Sequence, residues 1–166
     1  MSFCPECGTA LTLKPLKNEG MIPFCENCRE YRFPAFNTAV SLIVLSPDKS
    51  EILLIQQYGR HDNILVAGYV NKGESAENAA VRELKEETGL NVISLEYNRS
   101  EYFPRTNTLM LNFTCVADSR SLDGLNTGEV DAAEWFAPSL AREKIRPESL
   151  AKRFLLYYLD EKKNKL

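Results

Sequence analysis

The sequence predicts an α/β domain preceded by a small unit built on cysteines. Two observations support this: apolar, β-rich runs surround amphipathic helical segments through most of the chain, and two Cys-x-x-Cys pairs lie within the first 28 residues. A length of 166 residues allows one ordinary domain with a core, plus a small appendage. We place the boundary so that residues 1–34 form the cysteine unit and residues 35–166 form the main domain.

The composition is that of a globular protein. Apolar residues make up 44% and charged residues 26%, and the net charge of −3 provides no chain-wide basic field for nucleic acid. The sequence contains neither a run of about 18 apolar residues nor an N-terminus in which basic residues precede an apolar stretch. We therefore expect no membrane span and no signal peptide, and a cytoplasmic location.

The four N-terminal cysteines have the spacing of a zinc ribbon. Cys4 and Cys7 form the first pair, Cys25 and Cys28 form the second, and seventeen residues separate the pairs. Disulfides are the alternative, but they are typical of secreted chains, and a redox-active pair is a single motif that opens a helix. We predict a structural Zn²⁺ with four thiolate ligands, which would stabilise a segment too short for its own core.

The main domain contains six apolar segments with the composition of β-strands. They span 37–46, 51–57, 63–68, 91–103, 108–118 and 129–136, and the first two are predicted to form a hairpin. A helix is predicted from Ser75 to Thr88, capped by Ser75 and ended by Gly89. A closing helix is predicted to begin near Pro147, because apolar residues follow at three- and four-residue spacing.

The predicted first helix ends in a segment with three glutamates within five residues, RELKEETGL. Like charges three or four residues apart cost a helix roughly 0.2–0.5 kcal/mol per pair. At about 100° per residue, Glu83 and Glu87 continue the small-residue stripe of alanines 76, 79 and 80, with Glu86 at its flank. The same geometry places Arg82 on the water-facing side.

Carboxylates that face the core need a cation or must lose their charge. No run of lysines is near Glu83 and Glu87 in the sequence, so a hard divalent metal ion is the simplest partner. Arg82 precedes Glu86 by four residues and is expected to orient it.

The stretch GYVNKGESAENAAVRELKEETGL resembles the Nudix box at every specified position. It runs from Gly68 through five residues to Glu74, then through seven residues to Arg82-Glu83-Leu84-x-Glu86-Glu87-x-Gly89-Leu90. The resemblance implies the Nudix fold, a mixed β-sheet sandwiched between helices. It also implies a loop-helix-loop that holds Mg²⁺ or Mn²⁺ and hydrolyses a nucleoside diphosphate linked to another moiety.

The resemblance also suggests roles for the acidic residues. Glu83, Glu86 and Glu87 are expected to bind the metal, and either Glu87 or Glu86 is expected to act as the base. Glu74 is expected to tie the loop to the helix or to reach a metal through water. Glu129, in TGEVDAAEW, matches a family glutamate that reaches the same cleft; the alternative is a surface residue that opens a strand.

A cysteine ribbon directly before a Nudix domain resembles the NADH pyrophosphatase family. The segments YRFPAFNTAVSLIVL, GRHDNILVAGYVNKGE and PESLA carry this likeness. It implies a homodimer that cleaves NAD(H) to AMP and nicotinamide mononucleotide. It also implies that Tyr69 stacks on adenine; the alternative is that Tyr69 packs in the core or at a dimer interface. Ala151 lies in the segment that matches the start of the family's adenosine-contacting helix.

The chain departs from the diagnostic segment of that family. The family has SQPWPFP followed by a small residue, Leu and Met, whereas this chain has SEYFPRTNTLM, with changes at Glu101, Phe103, Arg105 and Thr106. Arg105 replaces an aromatic residue, so it either grips a phosphate or is a solvated loop charge. We expect NAD(H) hydrolysis with relaxed specificity that extends to ADP-ribose and dinucleoside polyphosphates.

Two further hypotheses follow from the same residues. One is action on NAD-capped RNA, which the acidic charge of the chain does not support. The other is a non-catalytic Nudix module that senses a ligand while its ribbon binds protein or nucleic acid. The complete set of box glutamates argues against a pure sensor, which has no need of them all.

Overall fold

The structure is a computed structural model that describes residues 2–162, with side chains described for residues 2–160. The chain divides into two compact units, with the division between Phe36 and Asn37.

The N-terminal unit is a small antiparallel sheet. Its strands are β1 (Thr12–Leu16), β2 (Gly20–Cys25) and β3 (Glu30–Tyr31), with β2 in the centre. The turn that carries the first cysteine pair is closed by backbone bonds of Cys4, which donates to Thr9 O and accepts from the amide of Gly8.

The main unit is built on a six-stranded mixed sheet. Its strands are β4 (Asn37–Leu45), β5 (Ile52–Gln57), β6 (Val66–Tyr69), β7 (Val92–Phe103), β8 (Thr108–Ala117) and β9 (Val130–Phe136). The order is β7-β8-β4-β5-β9, and β6 pairs with the first half of β4. Only the β4–β8 pair is parallel among the pairs of described strands.

Helices cover both faces of this sheet. Leu42 and Val44 of β4 pack in the cluster with the helix α1 (Ala76–Thr88), whereas Ile43 and Leu45 pack in the opposite cluster. The opposite cluster is closed by α2 (Pro138–Lys144) and α3 (Leu150–Tyr157). Because β4 is covered on both sides, its sequence is continuously apolar rather than alternating. The predicted fold, a mixed sheet between helices, is confirmed.

Two predicted boundaries were wrong, and one helix was missed. Strand β6 begins at Val66 and continues past Gly68, because its residues 66–69 pair with residues 39–42 of β4. The seven-residue helix α2 was not predicted. The closing helix begins at Leu150 rather than at Pro147, because the Ser149 hydroxyl caps it by accepting from the backbone N–H of Lys152 at 3.1 Å.

No helix within residues 2–162 is long and apolar enough to cross a membrane.

Candidate functional site

Helix α1 positions the acidic residues as the sequence predicted. The Ser75 side chain accepts from the Asn78 backbone N–H at 3.2 Å, and Gly89 ends the helix in the left-handed region at φ 76°. Ala79 and Ala80 are fully buried against the sheet, so the face that they form is fixed. Glu87 lies on this face and is only 3% exposed.

Gly68 of β6 is required by close contact with the helix. A Cβ atom at this position would lie 1.9 Å from Cδ of Glu83. Only glycine therefore lets the Glu83 carboxylate lie against the backbone of the strand. This contact gives a physical reason for the first glycine of the motif.

The guanidinium group of Arg82 connects the loop and the helix. It forms a bidentate pair with Glu74, with Nε to Oε1 at 2.8 Å and Nη2 to Oε2 at 2.9 Å. Its Nη1 donates to Glu83 at 2.8 Å and to Glu86 at 2.9 Å, and Nη2 also donates to the carbonyl of Tyr69 at 3.0 Å. A single cation thus binds three of the acidic residues.

This network corrects two sequence-based inferences. The Arg82 side chain is not on a water-facing surface but is only 26% exposed, because the loop carrying Glu74 folds over it. The protein also supplies a cation for Glu83, which the sequence analysis had left to metal alone, whereas the predicted pairing of Arg82 with Glu86 is observed. The hydrogen bonds from Arg82 lower the pKa of Glu74 to about 2, and they tie the loop to the helix.

Glu87 is the acid that Arg82 does not bind. Gln57 Nε2 donates to Glu87 Oε1 at 2.6 Å, while Oε2 is buried and has no hydrogen-bond partner among the described residues. Burial and, to a smaller extent, the charges of Glu83 and Glu129 raise the pKa of Glu87 to about 8, although Gln57 and the backbone N–H of Ala67 act in the opposite direction. Sequence analysis missed Gln57, although a polar residue at the end of a buried strand was a usable signal.

The loop before β9 brings Glu129 to this region. The backbone N–H of Asn126 donates to the carbonyl of Glu87 at 3.0 Å, and the Glu129 N–H donates to Asn126 O at 3.0 Å. Gly89 and Gly124 allow the close approach, since a Cβ on Gly89 would lie 2.7 Å from Cα of Gly124. Glu129 itself is exposed, and its charge contributes to the raised pKa of Glu87.

These acids are ligands of the kind that a hard divalent cation prefers, although among the described residues only the four N-terminal cysteines have ligand atoms that all lie within 4.8 Å of one another. Glu87 offers a buried oxygen without a donor, and Glu83 and Glu129 add negative charge around it. Mg²⁺ and Mn²⁺ prefer such carboxylate ligands. Glu86 is 53% exposed and reaches solvent, whereas Glu83 is 13% exposed.

Two recesses lie beside the box in the main unit. Tyr69, which is 57% exposed, lines an apolar recess of about 270 Å³ together with Phe103 and Met110. Arg105 lines a larger recess of about 780 Å³ that reaches Leu150 at the start of α3. Ala151 is half-buried and packs against the core cluster.

The four N-terminal cysteines form a group that can hold a metal ion. Their Sγ atoms all lie within 4.8 Å of one another, with Cys4 and Cys28 3.9 Å apart and Cys7 and Cys25 3.4 Å apart. All four are free thiols, and these separations far exceed the S–S bond length of about 2.05 Å. They approximate the edge of about 3.8 Å that a tetrahedron with Zn–S bonds of about 2.3 Å requires.

The environment of the thiols suits a structural ion. Arg32 Nε donates to Cys4 Sγ at 3.3 Å, and the Cys28 backbone N–H donates to Cys25 Sγ at 3.4 Å. Cys4 and Cys25 are the only fully buried residues among the described positions of the N-terminal unit. A metal would therefore take the place of a hydrophobic core there.

The comparison with protein families agrees with this geometry. The model of the NUDIX domain matches residues 35–156, which include every element from β4 to α3. The chain belongs to the Nudix family. The Nudix hydrolase prediction is thereby confirmed at the level of the family.

Curated relatives match most of the chain, and one of them matches nearly all of it. The chain is 30% identical over 159 residues to the NAD-capped RNA hydrolase NudC of Pseudomonas aeruginosa, which covers 95% of this chain and 55% of the relative. It is 30% identical over 139 residues to NudC of Vibrio parahaemolyticus, covering 82% of this chain and 51% of the relative. The chain thus spans about half the length of the curated relatives it matches.

Solved structures share the fold. A NUDIX hydrolase from Nitrosomonas europaea superposes with a TM-score of 0.63 at 19% identity, covering 99% of this chain and 93% of the other. The NUDIX domain of Shewanella oneidensis NrtR, complexed with ADP ribose, gives a TM-score of 0.64 at 16% identity, with coverages of 86% and 94%. At these identities the likeness establishes the Nudix fold alone.

We predict that the purified protein carries about one tightly bound zinc ion per chain on the four thiolates. Elemental analysis of the parent and of Cys25→Ser tests this, and the variant should lose most of the zinc. Cys115→Ser is the matched control, because Cys115 is buried in β8 of the other unit. A parent protein without zinc, or with Cys4–Cys28 or Cys7–Cys25 disulfides, would contradict the prediction.

We also predict that Glu87→Gln prevents the loss of folding stability that ionisation of the buried Glu87 causes as the pH rises. The pKa of Glu87 is raised from 4.5 to about 8 in the folded chain. The folded state therefore binds the proton more tightly, and this stabilisation is complete below about pH 4.5 and lost as the pH rises through about 8.

The measurement is denaturant unfolding of the parent and the variant between pH 5 and pH 8, without added divalent cations. As the pH rises from 5 to 8, the free energy of unfolding of the variant should increase by about 2–4 kcal/mol relative to that of the parent. Glu77→Gln, on the exposed first turn of the same helix, is the control and should show no such trend. A parent-to-variant difference that does not change with pH would refute the prediction.

Proposed function

We propose that this chain is a metal-dependent hydrolase of the pyrophosphate bond in nucleoside diphosphate derivatives, with NAD(H) as the principal substrate and AMP and nicotinamide mononucleotide as products. The observation that carries the proposal is the buried Oε2 of Glu87, which has no donor among the described residues. At its raised pKa of about 8 the carboxyl group of Glu87 holds a proton at neutral pH, and a divalent cation that displaces this proton would supply the missing partner of Oε2.

The proposed cation is Mg²⁺ or Mn²⁺, held by Glu83, Glu87 and Glu129, with Glu86 as a further ligand or base. Such an ion neutralises the anionic oxygens of a pyrophosphate and acidifies a bound water. Glu74 is proposed to act indirectly, because both of its oxygens are bound by Arg82. The role of Arg82 is then to fix the loop and to hold Glu83 and Glu86 in position.

We propose Glu86 rather than Glu87 as the group that accepts a proton from the attacking water. Glu87 is enclosed, one of its oxygens accepts from Gln57, and the other is the proposed ligand atom. Glu86 is 53% exposed, and its position is fixed by the 2.9 Å hydrogen bond from Arg82. A general base must reach its water, and only Glu86 of the pair faces solvent.

The substrate assignment rests on the relatives and on the apolar recess. The curated relatives are named for NAD-capped RNA, and on this support we propose NAD-containing compounds as the first choice of substrate. We propose that the adenosine half lies in the recess lined by Tyr69 and Phe103, since an aromatic face suits a flat base. Free NAD(H) is proposed ahead of capped RNA because the chain has a net charge of −3.

The changed diagnostic segment supports relaxed specificity. Glu101 forms an ion pair with Arg153 of α3 at 2.5 Å, so this replacement serves to connect β7 to the helix. Arg105 has replaced an aromatic ring with an exposed cation at the larger recess. ADP-ribose and dinucleoside polyphosphates are therefore proposed as additional substrates.

We also propose a homodimer, as the family resemblance implies. Strand β7 lies at the edge of the sheet and exposes Ile93, Tyr97 and Tyr102, at 63%, 51% and 49%. An edge strand with unpaired backbone groups and several exposed large side chains is a candidate surface for pairing with another chain.

The test is an assay of NADH, NAD⁺, ADP-ribose and diadenosine tetraphosphate with Mg²⁺ and Mn²⁺. The parent should release AMP from NADH only with a divalent cation. Glu87→Gln should lose about 100-fold or more of kcat, because it removes a ligand charge needed in the transition state. Glu77→Gln, on the exposed side of the same helix, should retain parental activity.

A Glu87→Gln variant with nearly parental kcat would contradict the assignment of Glu87. Binding of these compounds without any hydrolysis would instead indicate the ligand-sensing alternative. Efficient cleavage of a substrate without adenine, with no cleavage of NADH, would retain the Nudix chemistry and overturn the choice of substrate.

A further inference from the structure

The larger recess of the main unit is lined by three arginines. They come from separate segments: Arg60 from the loop after β5, Arg105 from the turn between β7 and β8, and Arg146 from the loop before α3. The remaining lining residues are Asp62, Phe103, Thr106, Met110, Pro147, Glu148, Ser149 and Leu150. Three loops that are distant in sequence thus direct cationic residues to one space of about 780 Å³.

The charges of this recess are not balanced. Arg146 lies 3.6 Å from Asp62 and is at least partly compensated. Within the part of the chain whose side chains are described, no carboxylate lies within 4.0 Å of Arg60 or Arg105. Glu148 is the one remaining acid in the lining, so the recess has a net positive charge.

The backbone of these loops is held by hydrogen bonds. The turn that carries Arg105 is fixed by Asn37, whose backbone N–H donates to Asn107 O at 2.8 Å and whose side chain donates to Thr106 O at 3.3 Å. The backbone N–H of Arg146 donates to Asn63 O at 2.8 Å.

The loop of Arg60 is anchored in the same way, by the Gly59 N–H that donates to Asp131 at 2.6 Å. The arginines therefore extend from fixed positions, which reduces the entropic cost of binding a ligand.

The recess adjoins the apolar recess that Gly68 and Tyr69 line. Phe103, Thr106 and Met110 line both spaces. The apolar recess includes Gly68, which lies against the Glu83 carboxylate. A substrate whose pyrophosphate lies at the glutamates can therefore extend past Phe103 toward the arginines.

We infer that the arginine recess binds a phosphate ester on the ribose of the adenosine half, in addition to the pyrophosphate that is cleaved. Guanidinium groups bind phosphate through paired, charge-assisted hydrogen bonds, and Arg60 and Arg105 have donors that no carboxylate occupies. An ADP derivative with a phosphate on the adenosine ribose should therefore bind more tightly than the same compound without it. This inference rests on the proposed function, which places adenosine in the adjoining recess.

Such a phosphate has two chemical sources. A monoester occurs in a free dinucleotide that is phosphorylated on its ribose, and a diester occurs where the adenosine is the first nucleotide of a nucleic acid. Both esters present anionic oxygens to the arginines. They differ in that a diester continues into a further nucleotide, whereas a monoester ends at the phosphate.

The experiment is isothermal titration of the full chain with three probes, without added divalent cations. The probes are AMP, adenosine 3′,5′-bisphosphate as the monoester, and the dinucleotide pApA as the diester. At least one phosphorylated probe should bind about tenfold or more tightly than AMP, as expected for added charge-assisted hydrogen bonds. The phosphorylated probe that binds more tightly shows whether the recess prefers a monoester or a diester.

Three variants test whether the recess causes this difference. Arg105→Gln should bring the affinity for the phosphorylated probe close to the affinity that the same variant shows for AMP. Glu148→Gln should increase the affinity for the phosphorylated probe, because it removes the uncompensated acid of the recess. Arg142→Gln, the control, makes the same charge change at a residue outside the recess and should have little effect.

The outcomes separate this inference from the proposed function. If AMP binds and the added phosphate gives no advantage, or if Arg105→Gln leaves the advantage intact, the inference is wrong while the proposed function stands. If AMP does not bind in millimolar amounts and NADH is not hydrolysed, the proposed function fails, and the inference, which depends on the adenosine position, fails with it.

Discussion

The arrangement of the acidic site depends on the limited number of donors of one guanidinium group. Arginine has five N–H donors in a fixed plane and accepts no hydrogen bonds. Arg82 directs them at Glu74, Glu83, Glu86 and the carbonyl of Tyr69. The remaining acid of the motif, Glu87, must find a partner elsewhere, and Gln57 satisfies only one of its oxygens. The site therefore combines a neutralised loop with one uncompensated carboxylate.

Close backbone contacts place that carboxylate between three segments. Gly68 lets β6 approach Glu83, and Gly89 lets the loop before β9 approach the end of α1. Strand β5 ends at Gln57, which pairs with Val130 directly after Glu129. The strand ends and the helix thus direct polar side chains to one edge of the sheet, whereas the alanine face of α1 is buried against the sheet.

The sequence was sufficient for features that depend on local periodicity. The bounds of α1, its caps, and the inward direction of Glu83 and Glu87 follow from helical geometry and from the glycine at the helix end. The cysteine spacing likewise predicted a four-thiol group, and the four Sγ atoms do lie together.

Features that depend on distant segments were not predictable in this way. The side of α1 that carries Arg82 was assigned to water because its partner Glu74 lies in a loop whose path only the folded chain defines. Gln57 contacts Glu87 across thirty positions of sequence, and no local pattern encodes that pair. The arginine recess is similar, because Arg60, Arg105 and Arg146 are brought together only by tertiary structure.

We propose that Oε2 of Glu87, which has no hydrogen-bond partner among the described residues, binds a divalent cation. The most direct test of this proposal is a crystal structure of the protein soaked in Mn²⁺, with the ion located by anomalous scattering. We expect an anomalous peak about 2.2 Å from Glu87 Oε2, the distance typical of an oxygen ligand of such an ion. A fully occupied Mn²⁺ site elsewhere, with Glu87 Oε2 still without a ligand, would contradict the proposal.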